Sequence, residues 1–301
     1  MKKLSIFLML AMFIIGSAVS ASAFSLGGYS GPIKMKFSNW EDLILPAANM
    51  PGPSYYVNNG DGIEDNYGIL YITDIRADDG SNLLLWSDAT QGETLTGLFY
   101  DVDVQSWAPN GSGGTNVQSV GGKMDIYLDT SPSGTFDATQ GNGGYIADAD
   151  GIAHNDYTGI TDIGSTLFLT LDFVPGVDIL TDATIDGDFD GSTLPASGDA
   201  TSYLSVTGGA YASTFDTNGF SVTYTDDILG PGTSITPDFF TQNDFVPNDG
   251  STAPIQGDWG LLSEDPNRGN AAIPEPSTIM LFGLGLLGLG FVGRKKLTHK
   301  D

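Results

Sequence analysis

The chain has 301 residues, a formal net charge of −26, 41 glycines and no cysteine. Such a charge balance argues against nucleic acid and anionic lipid as partners, because like charges repel. Without cysteine there are no disulfides, no thiolate nucleophiles and no cysteine-ligated zinc sites.

The first 23 residues read as a secretory signal peptide. Lys2 and Lys3 precede an apolar stretch from Leu4 to Ile15, and Ala21-Ser22-Ala23 sets small residues at the cleavage positions. Cleavage is expected before Phe24, with the Sec translocon and signal peptidase as the partners this segment requires. The body then runs from Phe24 to Ala272, 249 residues, enough for one well-buried all-β domain. Five basic residues (Lys34, Lys36, Arg76, Lys123 and Arg268) stand against 35 acids and leave the body at −30. Glutamate occurs only at 41, 64, 93, 264 and 275, and the other 32 acids are aspartate. Aspartate favours turns and oxygen-ligand loops, whereas glutamate favours helix interiors.

Alternating apolar residues predict strands along the body. Ile33, Met35 and Phe37 alternate with Lys34 and Lys36, and Gly68 to Ile75 is rich in Ile, Tyr and Thr. Leu98, Tyr100, Val102 and Val104 are expected on one face, with Phe99, Asp101 and Asp103 on the other. Met124, Ile126 and Leu128 form a further set, as do Leu167, Leu169, Leu171 and Phe173. Leu204 with Val206, and Phe220, Val222 and Tyr224, continue the pattern. Turn clusters such as 110–114 and 131–134 separate these runs, and no long stretch has helical periodicity. The expected fold is an all-β, antiparallel, jelly-roll-like β-sandwich over 24–264. From Pro231 onward prolines break the pattern, and 265–273 reads as a linker holding the body off a membrane.

The sharpest local motif is Asp186-Gly187-Asp188-Phe189-Asp190-Gly191. Carboxylates at alternate positions before a turn glycine are suited to a Ca²⁺ loop, so Asp186, Asp188 and Asp190 are candidate ligands, with Asp182 or Asp199 as additions. The twelfth position of an EF-hand loop would be Ser197 rather than Glu, and Pro195 interrupts it, so an EF-hand is not expected. The competing reading is a solvated acidic turn. Asp148, Asp150 and Asp156 form a weaker cluster, as do Asn59, Asp61, Glu64 and Asp65. His154 is the only body histidine, and no Gly-x-Ser-x-Gly elbow is present, so a Ser-His-Asp triad is not expected. A carboxylate pair for glycoside hydrolysis stays open, although no feature selects one. Trp107, beside the Pro109-Asn110-Gly111 turn, is the candidate platform for stacking on a sugar ring; the bland alternative is core and rim packing. Asn110-Gly111-Ser112 matches a glycosylation sequon.

The tail carries three signals in order. Pro274-Glu275-Pro276 cannot sit inside a helix, since each proline removes an N–H donor and fixes φ. Ile279 to Val292 is uncharged, and Gly283, Gly285, Gly288 and Gly290 give it a small-residue face. Arg294, Lys295 and Lys296 then form a basic membrane stop, expected to remain cytoplasmic. Over 274–297 this arrangement resembles the PEP-CTERM sorting signal of exported Gram-negative proteins. The resemblance implies a single transmembrane helix that anchors the chain transiently in the inner membrane, and handling by an exosortase. It also implies a non-enzymatic role at the cell surface or in an exopolysaccharide- and biofilm-associated matrix. Two other functions fit the body's residues: a Ca²⁺-dependent, lectin-like carbohydrate-binding module, and a secreted glycan-active hydrolase.

Overall fold

The computed structural model describes residues 24–43, 66–111, 113–130, 136–138, 159–161, 164–190, 197–224, 230, 232–247 and 261–273. The signal-peptide segment, the sorting tail, the acidic clusters at 59–65 and 148–156, and His154 lie outside these residues.

Twelve strands account for most of the described chain: β1 (Gly31–Leu43), β2 (Asn66–Ala77), β3 (Leu84–Ser87), β4 (Thr94–Pro109), β5 (Thr115–Asp129), β6 (Thr166–Val174), β7 (Ile185–Asp190), β8 (Ser197–Gly208), β9 (Val222–Thr223), β10 (Ser234–Ile235), β11 (Phe239–Pro247) and β12 (Leu261–Ala271). Two one-turn helices, Asp88–Gln91 and Ala212–Phe215, complete it. Ten strands form one sheet in the order β1-β12-β11-β8-β6-β5-β4-β2-β3. β1 also pairs with β2, so the sheet closes on itself. β7 shares with β6 the place between β5 and β8. Every pairing is antiparallel. β9 and β10 form a separate two-stranded ribbon.

The all-β antiparallel class expected from the alternation holds, but the strand order is that of one closed sheet and not of a jelly roll. A jelly roll needs Greek-key strands crossing between two sheets. Here each strand of the closed sheet pairs with the next along the chain, apart from the short excursions at β3, β7 and the β9–β10 ribbon. Period-2 alternation reports which side of a sheet a residue faces, not which strand lies beside it, so sequence did not separate the two layouts.

A second correction concerns 265–273. Residues 265–271 are part of β12, which pairs with β1 from Gly31–Ala271 to Glu41–Leu261 and closes the sheet. In sequence they resemble a linker because they lack an apolar alternation and contain Pro266. The β11–β12 ladder passes from Thr241–Asn267 directly to Asp244–Glu264, so Pro266 occupies a gap where no ladder N–H is needed on that side.

A third correction concerns β4. Asp101 has φ 59°, and the ladder to β5 passes from Tyr100–Lys123 to Val102–Gly121. The register is the same on either side of it, so the bulge is matched on both strands, and it inverts the faces beyond it. The ladder's one-residue register shift comes later, between Val104 and Ser106. Phe99 and Val102 both enter the interior, while Leu98 and Tyr100 pack outside with Tyr67, Ile69 and Ile160. Opposite the bulge, Gly121 and Gly122 have φ 69° and 100°. A Cβ at Gly122 would stand 2.8 Å from Phe173 Cδ2, so glycine is required there twice over. Lys123 Nζ donates to Asp101 Oδ2 at 2.8 Å across the bulge.

One end of the closed sheet is filled. Phe24, Trp86, Phe168, Phe215 and Phe239 are buried there with Ile33, Leu95 and Leu128. Toward the other end, where β1 finishes and β12 begins, the interior opens.

Candidate functional site

Asp186, Asp188 and Asp190 share one side of β7, not a wrapped loop. Alternate residues of a strand stand about 6.6–6.8 Å apart, too far for three successive carboxylates to enclose one ion. Asp188 accepts both bonds of Asn110 Nδ2, at 2.7 and 3.0 Å, and Asp186 accepts one from Gln118 Nε2 at 3.2 Å. Asn110 also accepts from the Gly114 N–H, so the predicted sequon asparagine is engaged in its own turn. Among the described residues no three acids or histidines stand together as a metal site. Trp107 lies on β4, and its side chain is outside the described part. Trp86 is buried and Trp40 packs on Phe136, which places these two in the core-and-rim reading.

Register brings together something the sequence did not suggest. Asp188 pairs with Asp199, Asp199 with Asp244, and Asp244 with Glu264. Four exposed acids thus form a row across four adjacent strands on the outer surface. Directly opposed like charges destabilise a sheet. Burial, then the Asp188, Asp244 and Asp186 charges, raise the Asp199 pKa above the ordinary carboxylate range. Asp186 is likewise raised, chiefly by burial and also by Asp178 and Asp188. A carboxyl whose folded pKa exceeds its unfolded value binds its proton more tightly in the native state. Its contribution is complete below the unfolded pKa, about 3.9 for Asp, and is lost as pH rises through the folded pKa. The thermal midpoint is therefore expected to be higher at pH 5 than at pH 8. At pH 8, NaCl and CaCl₂ of equal ionic strength should raise it equally if the row is screened without being coordinated. A markedly larger rise in CaCl₂ would show a bound ion instead.

The interior is the better-built site. A cavity of about 460 Å³ lies inside the closed sheet, within the range of small-molecule sites. Its wall from β2, β4, β5, β6 and β7 is mostly apolar, with Leu70, Ile72, Phe99, Met124, Ile126 and Phe173 among its residues and Ser119 as a polar exception. The polar groups cluster on β8, β11, β12 and β1, as Ser202, Thr241, Asn243, Ser263, Asn267, Asn39 and Glu41, beside the apolar Met35, Phe37, Ala200 and Leu261 of the same strands. Asn66, at the start of β2, joins them. Phe189 and Phe245 also line it, their rings nearly parallel at 6.3 Å.

Glu41 is the one ionisable side chain among the described lining residues. Asn39 Nδ2 and Ser263 Oγ donate to its Oε1, the latter at 2.7 Å, and Asn66 Nδ2 donates to Oε2 at 3.3 Å. Burial raises its pKa against the opposing pull of those three donors. Asn39 Oδ1, Asn66 Oδ1 and Asn243 Oδ1 are buried with no hydrogen-bond partner. Orphaned buried acceptors cost about 1–3 kcal/mol each, so three along one cavity wall mark a place built for donors. None of these residues was singled out from the sequence. The available signal was on β1, where the inward positions Ile33, Met35 and Phe37 continue as Asn39 and Glu41.

Residues 272–296 match the PEP-CTERM protein-sorting motif. The match contains the predicted Pro274, Glu275 and Pro276 and the stop Arg294, Lys295 and Lys296, all outside the described structure. It begins one residue after β12 ends. The motif implies export, a C-terminal membrane-anchor processing step and sorting by an exosortase. The family match is confined to this tail, and no curated protein and no solved structure matches the chain.

Proposed function

We propose that this is a non-enzymatic binding protein of the cell surface or extracellular matrix of a Gram-negative bacterium. It is exported through the Sec translocon, cut by signal peptidase before Phe24, held transiently in the inner membrane by 279–292, and handed to an exosortase. The observation that carries this reading is the sorting match at 272–296, set against a sheet whose last strand ends at Ala271. A cut near Pro274-Glu275-Pro276 removes no strand, so the body leaves the membrane intact. The non-enzymatic part rests on the resemblance of the tail to that of sorted matrix proteins. In the matrix, extracellular polysaccharide is the partner, and the acidic outer row keeps copies apart. Calcium acts there as a screening counter-ion and stiffens the charged surface.

Intact-mass measurement of surface protein tests the route. The expected species lacks residues 1–23 and everything beyond the Pro274–Pro276 region. Glu275→Ala should retain the C-terminal segment, with an unchanged thermal midpoint. A surface species of the unaltered protein that still carries 279–292 would overturn exosortase release in favour of a permanent anchor.

A further inference from the structure

We propose that the barrel interior binds a small amphiphile with an apolar body and a cationic, ammonium-type head, the head seated against Glu41 and the free carbonyl oxygens of Asn39 and Asn66. The inference goes beyond the sorting and surface role and does not depend on how the tail is processed.

The cavity's two walls ask for different halves of a ligand. The β2–β7 side presents carbon, and a cavity of about 460 Å³ leaves those side chains without packing partners on one side. An apolar body restores the lost contacts. Opposite it, the polar wall is short of donors: Glu41 is a carboxyl, and the unsatisfied atoms of Asn39, Asn66 and Asn243 are all acceptors. Water alone would satisfy some of them but would leave the carbon wall wet. No lysine, arginine or histidine is among the described lining residues, so nothing there neutralises Glu41 or receives an anionic head. Asn39 and Asn66 each use their amide nitrogen on Glu41, which fixes where their free oxygens stand: beside the carboxyl. A head with several N–H donors and a positive charge meets all three groups together. A hydroxyl head supplies one donor and no charge, and a carboxylate head adds a buried negative charge.

The closing experiment is isothermal titration of the mature protein, collected from cells after export, with decylamine, decanol and decanoate at pH 7. Decylamine is expected to bind at one site per chain, decanol about ten- to hundredfold more weakly, and decanoate not measurably. Glu41→Gln should remove the preference for decylamine and leave decanol unchanged. The double change Asp199→Asn with Asp244→Asn, on the outer row, should leave the decylamine site intact, which separates it from attraction to the acidic surface. In the unaltered protein, decylamine affinity should also fall on acidification as Glu41 gains its proton, while decanol affinity stays flat; this readout needs no variant. Equal binding of decanol and decylamine, tighter binding of decanoate, absence of binding by all three, or loss of the amine site in the outer-row variant would each overturn the proposal.

Discussion

Asp238→Ala is expected to lower stability by about 2–4 kcal/mol, read as a urea midpoint or as a thermal shift of roughly 4–16 °C. Asp238 is 2 % exposed, immediately before β11. Its Oδ1 accepts the N–H groups of Thr217 at 2.7 Å and Asn218 at 2.6 Å, and its Oδ2 accepts that of Val206 at 2.8 Å. One carboxylate thus ties β8 to the segment that follows the helix Ala212–Phe215. Bonds to a charged acceptor contribute about 1.5–3 kcal/mol each, and partial access of water to Asn218 tempers the sum. Alanine offers no acceptor, whereas asparagine keeps one oxygen and turns an amide N–H toward a backbone N–H. Asp238→Asn should therefore fall between the two. A loss below about 1 kcal/mol for Asp238→Ala would show that water replaces the carboxylate and that the tie is dispensable.

Asp238 also shows what the sequence withheld. It is one aspartate among 32, and nothing in its neighbours distinguishes a buried anchor from a solvated turn. The strands themselves were legible where one face is carbon: Ile33, Met35 and Phe37 of β1 and Met124, Ile126 and Leu128 of β5 face the interior as the alternation predicts, whereas on β6 Leu167 is exposed and Phe168 buried. β12 was not legible, since its inward positions are Ser263, Asn267, Gly269 and Ala271, chosen to line a polar wall and to leave room for Phe239. A Cβ on Gly269 would lie 2.4 Å from that ring. The face of β4 was misread because a single bulge at Asp101 lies inside an unbroken alternating run. The acidic motif at 186–190 was read as a local loop, yet its real neighbours come from β8 and β11 through register. Sorting signals, by contrast, are recognised as linear segments and need no tertiary contact, so the sorting motif was legible in the tail.

Phe24→Ala is expected to cost about 3–5 kcal/mol, although the residue stands at the junction with the segment that reads as a signal peptide. Phe24 is 8 % exposed, and its ring lies 4.6 Å from Phe168, edge-on, and 5.2 Å from Tyr211. Trp86 and Phe215 follow at 6.1 and 6.4 Å. The ring therefore fills the closed end of the barrel, where Phe168, Trp86 and Phe215 are themselves almost wholly buried. Removing it opens a cavity among rigid aromatic side chains that have little freedom to collapse, which sets the cost toward the upper part of that range. Phe24→Leu, which keeps much of the volume, should recover about half. The expected cleavage before Phe24 would leave this ring as the first side chain of the mature protein, so the position of the cut bears directly on the fold. A cut one residue later removes the whole plug and should match Phe24→Ala in its urea midpoint. Ser25→Ala, at an exposed neighbour, should change the midpoint by less than about 0.5 kcal/mol. N-terminal sequencing of surface protein gives the companion result: a mature chain starting at Phe24 is expected. A stable mature chain starting at Ser25 would refute the role of the ring as a plug.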